Sequence, residues 1–158
     1  MQVGQHCKRN VVSVVPNTPL TDAANLMRER SLGFLVVGEE REGRRIPVGV
    51  LTDRDIVVRV IGPAVDPETL LVKDVMSTEP VLAREDDDFL ELVRGMRIAG
   101  IRRMPVIDQS GALTGIVSLD DPLELVSEML DHLCVTVTNE QRQERRQREQ
   151  LSSAQRLS

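Results

Sequence analysis

The chain repeats itself, and the repeat sets the architecture. Gly49-Val50-Leu51-Thr52-Asp53-Arg54-Asp55 is matched 66 positions later (115 − 49) by Gly115-Ile116-Val117-Ser118-Leu119-Asp120-Asp121. Each copy reads glycine, two aliphatics, a hydroxyl residue, two variable positions and aspartate. An apolar helix face repeats as well. Leu20, Ala23, Ala24 and Met27 correspond to Phe89, Leu92, Val93 and Met96, each 69 positions on (89 − 20). The offset falls from 69 to 66 because the second hairpin turn is three residues shorter. Such self-similarity means two copies of one supersecondary unit. A unit of roughly 65 residues buries only about 60% of its unfolded surface and is marginal alone. The halves are therefore expected to pack on each other, and on a second chain.

Read along the chain, residues 11–15 form a short β-branched run stopped by Pro16. Thr18 and Pro19 read as N-cap and first residue of a helix that Gly33 ends. Residues 34–37 and 46–51 read as strands around a charged turn over 38–45. Thr52 opens a second helix to about residue 61. Gly62-Pro63 and Asp66-Pro67 break the halves. In the second half, residues 81–82 are the short strand, and the acidic run 85–88 opens a helix as the helix dipole favours. Residues 104–107 and 113–117 are strands around the tight turn 108–111, and a last helix follows. Each half is β-α-β-β-α. The fold class is α+β, each half a mixed three-stranded sheet with helices on one side. Val126, Met129, Leu130, Leu133 and Val137 continue a helical stripe. Beyond Asn139 the sequence is almost all Gln, Arg and Glu. The expected divisions are 8–65, 66–133 and a polar tail 134–158, helical to about Gln147 and disordered after it.

Composition removes several classes of function. With two Phe and no Trp or Tyr, the core is aliphatic and an aromatic platform for stacking single-stranded bases is not available. A net charge of −5 argues against a general nucleic-acid binder. Cys7 and Cys134 stand far apart without a CxxC spacing, which suits a reducing compartment. No apolar run approaches membrane-spanning length and no signal peptide is recognisable. These features lead to the expectation of a cytoplasmic protein with no nucleic-acid or membrane partner.

The repeated corner has two readings. Thr52-x-x-Asp55 and Ser118-x-x-Asp121 fit a capping box, in which hydroxyl and acid satisfy free amide donors at a helix start. Against that, both copies use Asp where Glu or Gln is preferred. Each corner also follows a glycine-led strand, where a ligand could approach the backbone. Pro122 pushes Asp121 away from helical angles, so Asp121 reads as an N-cap itself, with Pro122 first in the helix. The functional reading is a ribose site: a carboxylate accepts hydrogen bonds from both ribose hydroxyls, and a hydroxyl beside it suits sugar or phosphate oxygens. Arg54 reads equally as a phosphate ligand or a solvated helix residue.

In this order, twice, these motifs resemble a tandem pair of CBS domains, the module of cystathionine β-synthase. The resemblance covers residues 8 to 133. It is carried by the two corners, the helix ending Leu26-Met27-Arg28, and Arg102-Arg103-Met104-Pro105-Val106-Ile107 before the second hairpin. It implies two β-α-β-β-α repeats related by pseudo-twofold symmetry, usually paired into a homodimer. It further implies a regulatory module whose cleft holds an adenosyl ligand such as AMP, ADP or ATP, with S-adenosylmethionine and NADH as alternatives. Carried over by motif, Asp55 and Asp121 would hold ribose hydroxyls, and Thr52 and Ser118 would contact ribose or phosphate. Arg102 and Arg103 would touch phosphates, as guanidinium forks do well, with Pro105 beside them and Arg54 as a further candidate. Gly33-Phe34 stands where the second half has Arg102-Arg103, so the two clefts are expected to be unequal.

No Walker loop, GxGxxG, HExxH or nucleophile elbow occurs. Neither His6 with Cys7 nor His132 with Cys134 has a zinc spacing. The acidic run 85–88 reads as a solvated helix start. Met27, Met96 and Met129 read as core. The expectation is a regulatory protein that is not an enzyme, needs no metal or cofactor, and controls an effector protein. The competing expectation is a ligand-free homodimeric scaffold. A small phosphoryl-transfer enzyme lacks an evident general base or metal cluster.

Overall fold

Short strands form where the aliphatic runs lie, and polar turns end them. The computed structural model describes the backbone of residues 1–156, with side chains to residue 148. The chain divides into two units, Met1–Leu119 and Asp120–Ser158.

The first unit holds both repeats. The first repeat contains β1 (Ser13–Val14), α1 (Leu20–Arg30), β2 (Phe34–Arg41), β3 (Arg44–Thr52), α2 (Asp53–Ile56) and a π-helical turn (Val57–Ile61). A short helix α3 (Val72–Val75) and strand β4 (Ser77–Thr78) then lead to the second repeat, with β5 (Ala83–Arg84), α4 (Phe89–Ala99), β6 (Arg103–Ile107) and β7 (Leu113–Ser118). Within each repeat the first strand runs parallel to the second, and the second and third form a hairpin. The two repeats meet along β3 and β7. The core of the first repeat joins Leu20, Ala23 and Met27 of α1 to Leu35, Val37, Leu51 and Val60.

Each repeat carries a fourth edge that the three-stranded expectation lacks. β4 pairs antiparallel with β3, Val50 opposite Ser77. At the matching place, Lys8 exchanges both backbone hydrogen bonds with Ile116 of β7, each 2.9 Å. Lys8 and Ser77 are 69 positions apart (77 − 8), so they are the same position of the repeat. The lead segment of each repeat is thus strapped onto the sheet of the other. This explains the repeated glycines. A Cβ at Gly49 would sit 2.9 Å from the Ser77 carbonyl and 2.8 Å from Met76 Sδ. One at Gly115 would sit 2.6 Å from Cys7 Sγ. What approaches the backbone at these glycines is the chain's own strap, not a ligand.

Several ends differ from expectation. Pro19 is the N-cap of α1, and Thr18 Oγ1 instead accepts the Val15 N–H at 3.2 Å. Ser31, at φ 53, ends that helix in place of Gly33. Residues 38–45 are mostly strand: β2 and β3 run out to a two-residue turn at Glu42 (φ 52) and Gly43 (φ 73). Both central residues have positive φ, the geometry whose twist suits a tight hairpin. The charges concealed the strands because this end of the hairpin lies in solvent. The short strand of the second repeat is Ala83–Arg84, not residues 81–82. Asp88 caps α4 by accepting the Leu90 N–H at 2.9 Å, and Asp108 holds the second hairpin turn through the Ser110 and Ala112 N–H groups.

The second unit is one helix, α5 (Asp120–Arg156). It begins before Pro122, so Asp121 lies inside the first turn and is not its N-cap. Proline is tolerated there because the first four amides of a helix have no intrahelical acceptor. Met129, expected in the core, is 53% exposed. The backbone is helical past Gln147 to Arg156; residues 157 and 158, part of the stretch expected to be disordered, lie outside the described residues.

Candidate functional site

At the first corner both halves of the capping box form. The Asp55 N–H donates to Thr52 Oγ1 at 3.0 Å, and the Thr52 N–H donates to Asp55 Oδ2 at 3.0 Å. The Thr52 hydroxyl donates to the same Oδ2 at 2.7 Å. Asp is long enough here because β3 delivers Thr52 in an extended conformation, φ −113 and ψ 157. Asp55 Oδ1 lies 3.7 Å from Arg59 Nε, a loose exposed pair. Each carboxylate oxygen has about two lone-pair directions. The box therefore loads Oδ2 and leaves acceptor capacity on Oδ1.

A cleft of about 600 Å³ opens beside this corner. That volume is in the range of small-molecule sites, roughly 300–1,000 Å³. It is lined from both repeats. The first contributes Thr52, Arg54 and Asp55; β6 and the residue before it contribute Arg102, Arg103 and Pro105. Six of the eight candidate residues thus meet around one cleft, although 47 positions (102 − 55) separate the nearest of the two groups. The strand pairing of the repeats brings them together. Pro105 is a buried wall residue, whereas Arg54, Arg102 and Arg103 are exposed. No ion pair among the described residues uses Arg102 or Arg103.

The other two candidates lie elsewhere. Ser118 ends β7 and is not in the cleft lining, and Asp121 belongs to α5, the other unit. The backbone of the two corners is nonetheless alike: the Asp53 N–H donates to the Gly33 carbonyl at 3.1 Å, and its counterpart Leu119 donates to the Arg102 carbonyl at 2.8 Å. Gly33 stands where the second repeat has Arg102, and a side chain there would have to displace the exposed Asp53 carboxylate. A Cβ at Gly33 would meet Asp53 Oδ2 at 2.6 Å.

The sequence reading missed one wall of the cleft, Ser77 to Val81, which links the repeats. Glu79 in that wall holds φ 52 and is followed by Pro80. The other non-glycine residues at positive φ, Ser31, Glu42 and Ala64, end or turn an element. The 69-residue offset was the available signal, since it maps Ser77 onto Lys8 as the start of a repeat.

Known proteins share this fold. The CBS domain model matches residues 3–62 and 72–128. YhcV of Bacillus subtilis, a CBS domain-containing protein, is 37% identical over 70% of this chain and 75% of its own length. Uncharacterized protein MK0525 of Methanopyrus kandleri is 33% identical over 79% of this chain, which spans only 62% of that protein. The crystal structure of CBSX2 in complex with AMP superposes with a TM-score of 0.68 at 24% identity, covering 81% of this chain and 97% of that one. With two matched domains, two strapped sheets and the corner motif in both, this chain belongs to the CBS domain family.

Proposed function

We propose that this chain is a regulatory module that binds an adenosyl ligand in the cleft between its repeats and, as a cytoplasmic homodimer, passes occupancy to an effector protein. The ligand is an adenine nucleotide, AMP, ADP or ATP, with S-adenosylmethionine and NADH as related candidates. Asp55 Oδ1 accepts from the ribose hydroxyls, Thr52 stands beside it, and Arg54, Arg102 and Arg103 receive phosphate oxygens. Ser118 and Asp121 would serve an unequal second place at most. The module has no catalytic role in this reading. The observation that carries it is the convergence on one cleft of a carboxylate with acceptor capacity and two guanidinium groups that no carboxylate among the described residues pairs. Unpaired cations beside a half-buried acceptor suit a ligand with a hydroxylated ring and an anionic end. Binding can move the repeats only if the ligand prefers one arrangement of them.

The test uses the composition. Without Trp or Tyr, a bound purine would dominate absorbance at about 260 nm. Melts with AMP, ADP, ATP, NADH and S-adenosylmethionine follow. Ligand at about 100 times its Kd should add roughly 2.7 kcal/mol. A clear spectrum and a flat panel would sink adenosyl binding.

The capping box favours a second reading, a ligand-free scaffold, because it gives Thr52 and Asp55 a structural task of their own. There Asp55→Ala costs about 1 kcal/mol and no nucleotide moves the melt. In the sensor reading the same substitution removes the nucleotide shift.

A further inference from the structure

Along α5, Leu123, Val126, Leu130, Leu133 and Val137 follow one another at steps of 3, 4, 3 and 4. That is the a/d pattern of a coiled-coil seam. Each is more than half exposed: 61, 52, 55, 61 and 53%. α1 and α4 do the opposite with their apolar faces, leaving Leu20, Met27, Leu92 and Met96 at 6% or less. An open row of this kind marks an interaction surface. It ends at Val137, where Thr138, Asn139 and Glu140 follow, and its ends lie 14 steps apart (137 − 123), about 21 Å of helix. A short seam whose two ends are alike can meet itself across a twofold axis, forming an isologous contact.

Charge selects the direction. Residues 120–131 carry five acids, Asp120, Asp121, Glu124, Glu128 and Asp131, and no base. Residues 132–143 carry Glu140 and Arg142 and are balanced. A parallel pair would lay five acids beside five. An antiparallel pair lays the acidic segment beside the balanced one and also opposes the helix dipoles. We propose that α5 pairs antiparallel with α5 of a second copy of this chain, Leu130 of one copy opposite Leu133 of the other and Val126 opposite Val137. This names the surface of the homodimer put forward above and does not depend on what the cleft binds.

Sedimentation equilibrium on the full chain, across a wide concentration range, tests it. Wild type is expected to show monomer and dimer. The Leu130→Asp/Leu133→Asp variant should associate at least about 100-fold more weakly, with helix content and nucleotide response unchanged. Direction is read with a spin label on Gln143→Cys in a Cys7→Ala/Cys134→Ser background. The antiparallel pair sets residue 143 of one copy beside residue 120 of the other. The labels are then offset by 23 residues (143 − 120), roughly 35 Å. A parallel pair brings them within about 15 Å. A short label distance overturns the proposal. So does a dimer untouched by the double variant, which pairs through another surface. So does a chain monomeric at every concentration, whether its stripe binds a different protein or folds back on its own repeats. None of these results bears on nucleotide binding.

Discussion

The two corners begin alike and end differently. After Thr52 the chain makes four residues of α-helix, a π turn over Val57–Ile61, and breaks at Gly62-Pro63. After Ser118 the equivalent residues run into a continuous helix of 37 residues. The wide turn has a visible cause: the Gly62 and Val65 N–H groups donate back five residues, to the Val57 and Val60 carbonyls at 2.8 and 2.9 Å. Val60 is fully buried; Val126, its counterpart (60 + 66), is 52% exposed. One motif therefore starts two elements of different use, one that closes a core and one that offers a surface. The terminator decides which, not the corner.

The largest effect should break this comparison at Val60. Val60→Ala removes buried methyls in a closed core and should cost about 2–3 kcal/mol. Val126→Ala should leave the melt of the two-sheet unit within about 0.5 kcal/mol and weaken only self-association. Parallel denaturant titrations of the two variants check the pair. Equal costs would mean that Val126 is buried in solution against the repeats.

The straps give the second contrast. Gly49→Ala drives a methyl against the Ser77 backbone carbonyl, whereas Gly115→Ala meets chiefly the Cys7 side chain. Overpacking costs roughly 1–3 kcal/mol; Gly49→Ala should lie near the top of that range and Gly115→Ala near the bottom. Cys7→Ala should relieve the second and not the first. A double-mutant cycle reads this directly, and no rescue would mean that the Lys8 backbone, not Cys7, sets the clearance.

These glycines show what was legible in the sequence. The repeat fixed the topology, and the corners and the basic pair marked six residues that meet at one cleft. Three things did not show. The reason for the glycines lay in a pairing between residues 27 positions apart in one case (77 − 50) and 108 apart in the other (116 − 8), which no local pattern records. The outer halves of β2 and β3 are charged because both faces are wet there, so alternation fails. Pro122 argued for a helix start two residues too late (122 − 120), since a proline near a helix start violates no intrahelical hydrogen bond.

The third contrast compares the corners as sites. Asp55→Ala loses a capping interaction, about 1 kcal/mol, and in the sensor reading also the nucleotide-induced shift. Asp121→Ala should leave that shift in place, because Asp121 is not among the cleft residues. Isothermal titration of both variants with AMP and ATP separates them. If Asp121→Ala alone abolished binding, the ligand would belong to the second corner.

The smallest effect is confined to the second repeat. There Arg9 pairs with Glu85 and also donates to the Gly4 carbonyl at 2.8 Å, tying the strap to the turn between β5 and α4. The matching stretch of the first repeat, Val15-Pro16, has no acid. The Arg9 hydrogen bond holds the Glu85 carboxyl below its ordinary value of 4.5. A depressed carboxylate stabilises the fold above its unfolded pKa, and that contribution is lost as pH falls through the folded value. Both side chains are about a third exposed or more, 55 and 35%, so solvent and salt hold the effect to at most about 1 kcal/mol. Acidification from neutral to below 4.5 should therefore loosen the strap at Lys8 and Ile116 before the one at Ser77 and Val50, seen as faster amide exchange after correction for intrinsic rates. Arg9→Met should flatten that difference, and added salt should shrink it. Equal loosening of both straps would place the acid sensitivity in the carboxylates common to the two repeats rather than in this pair.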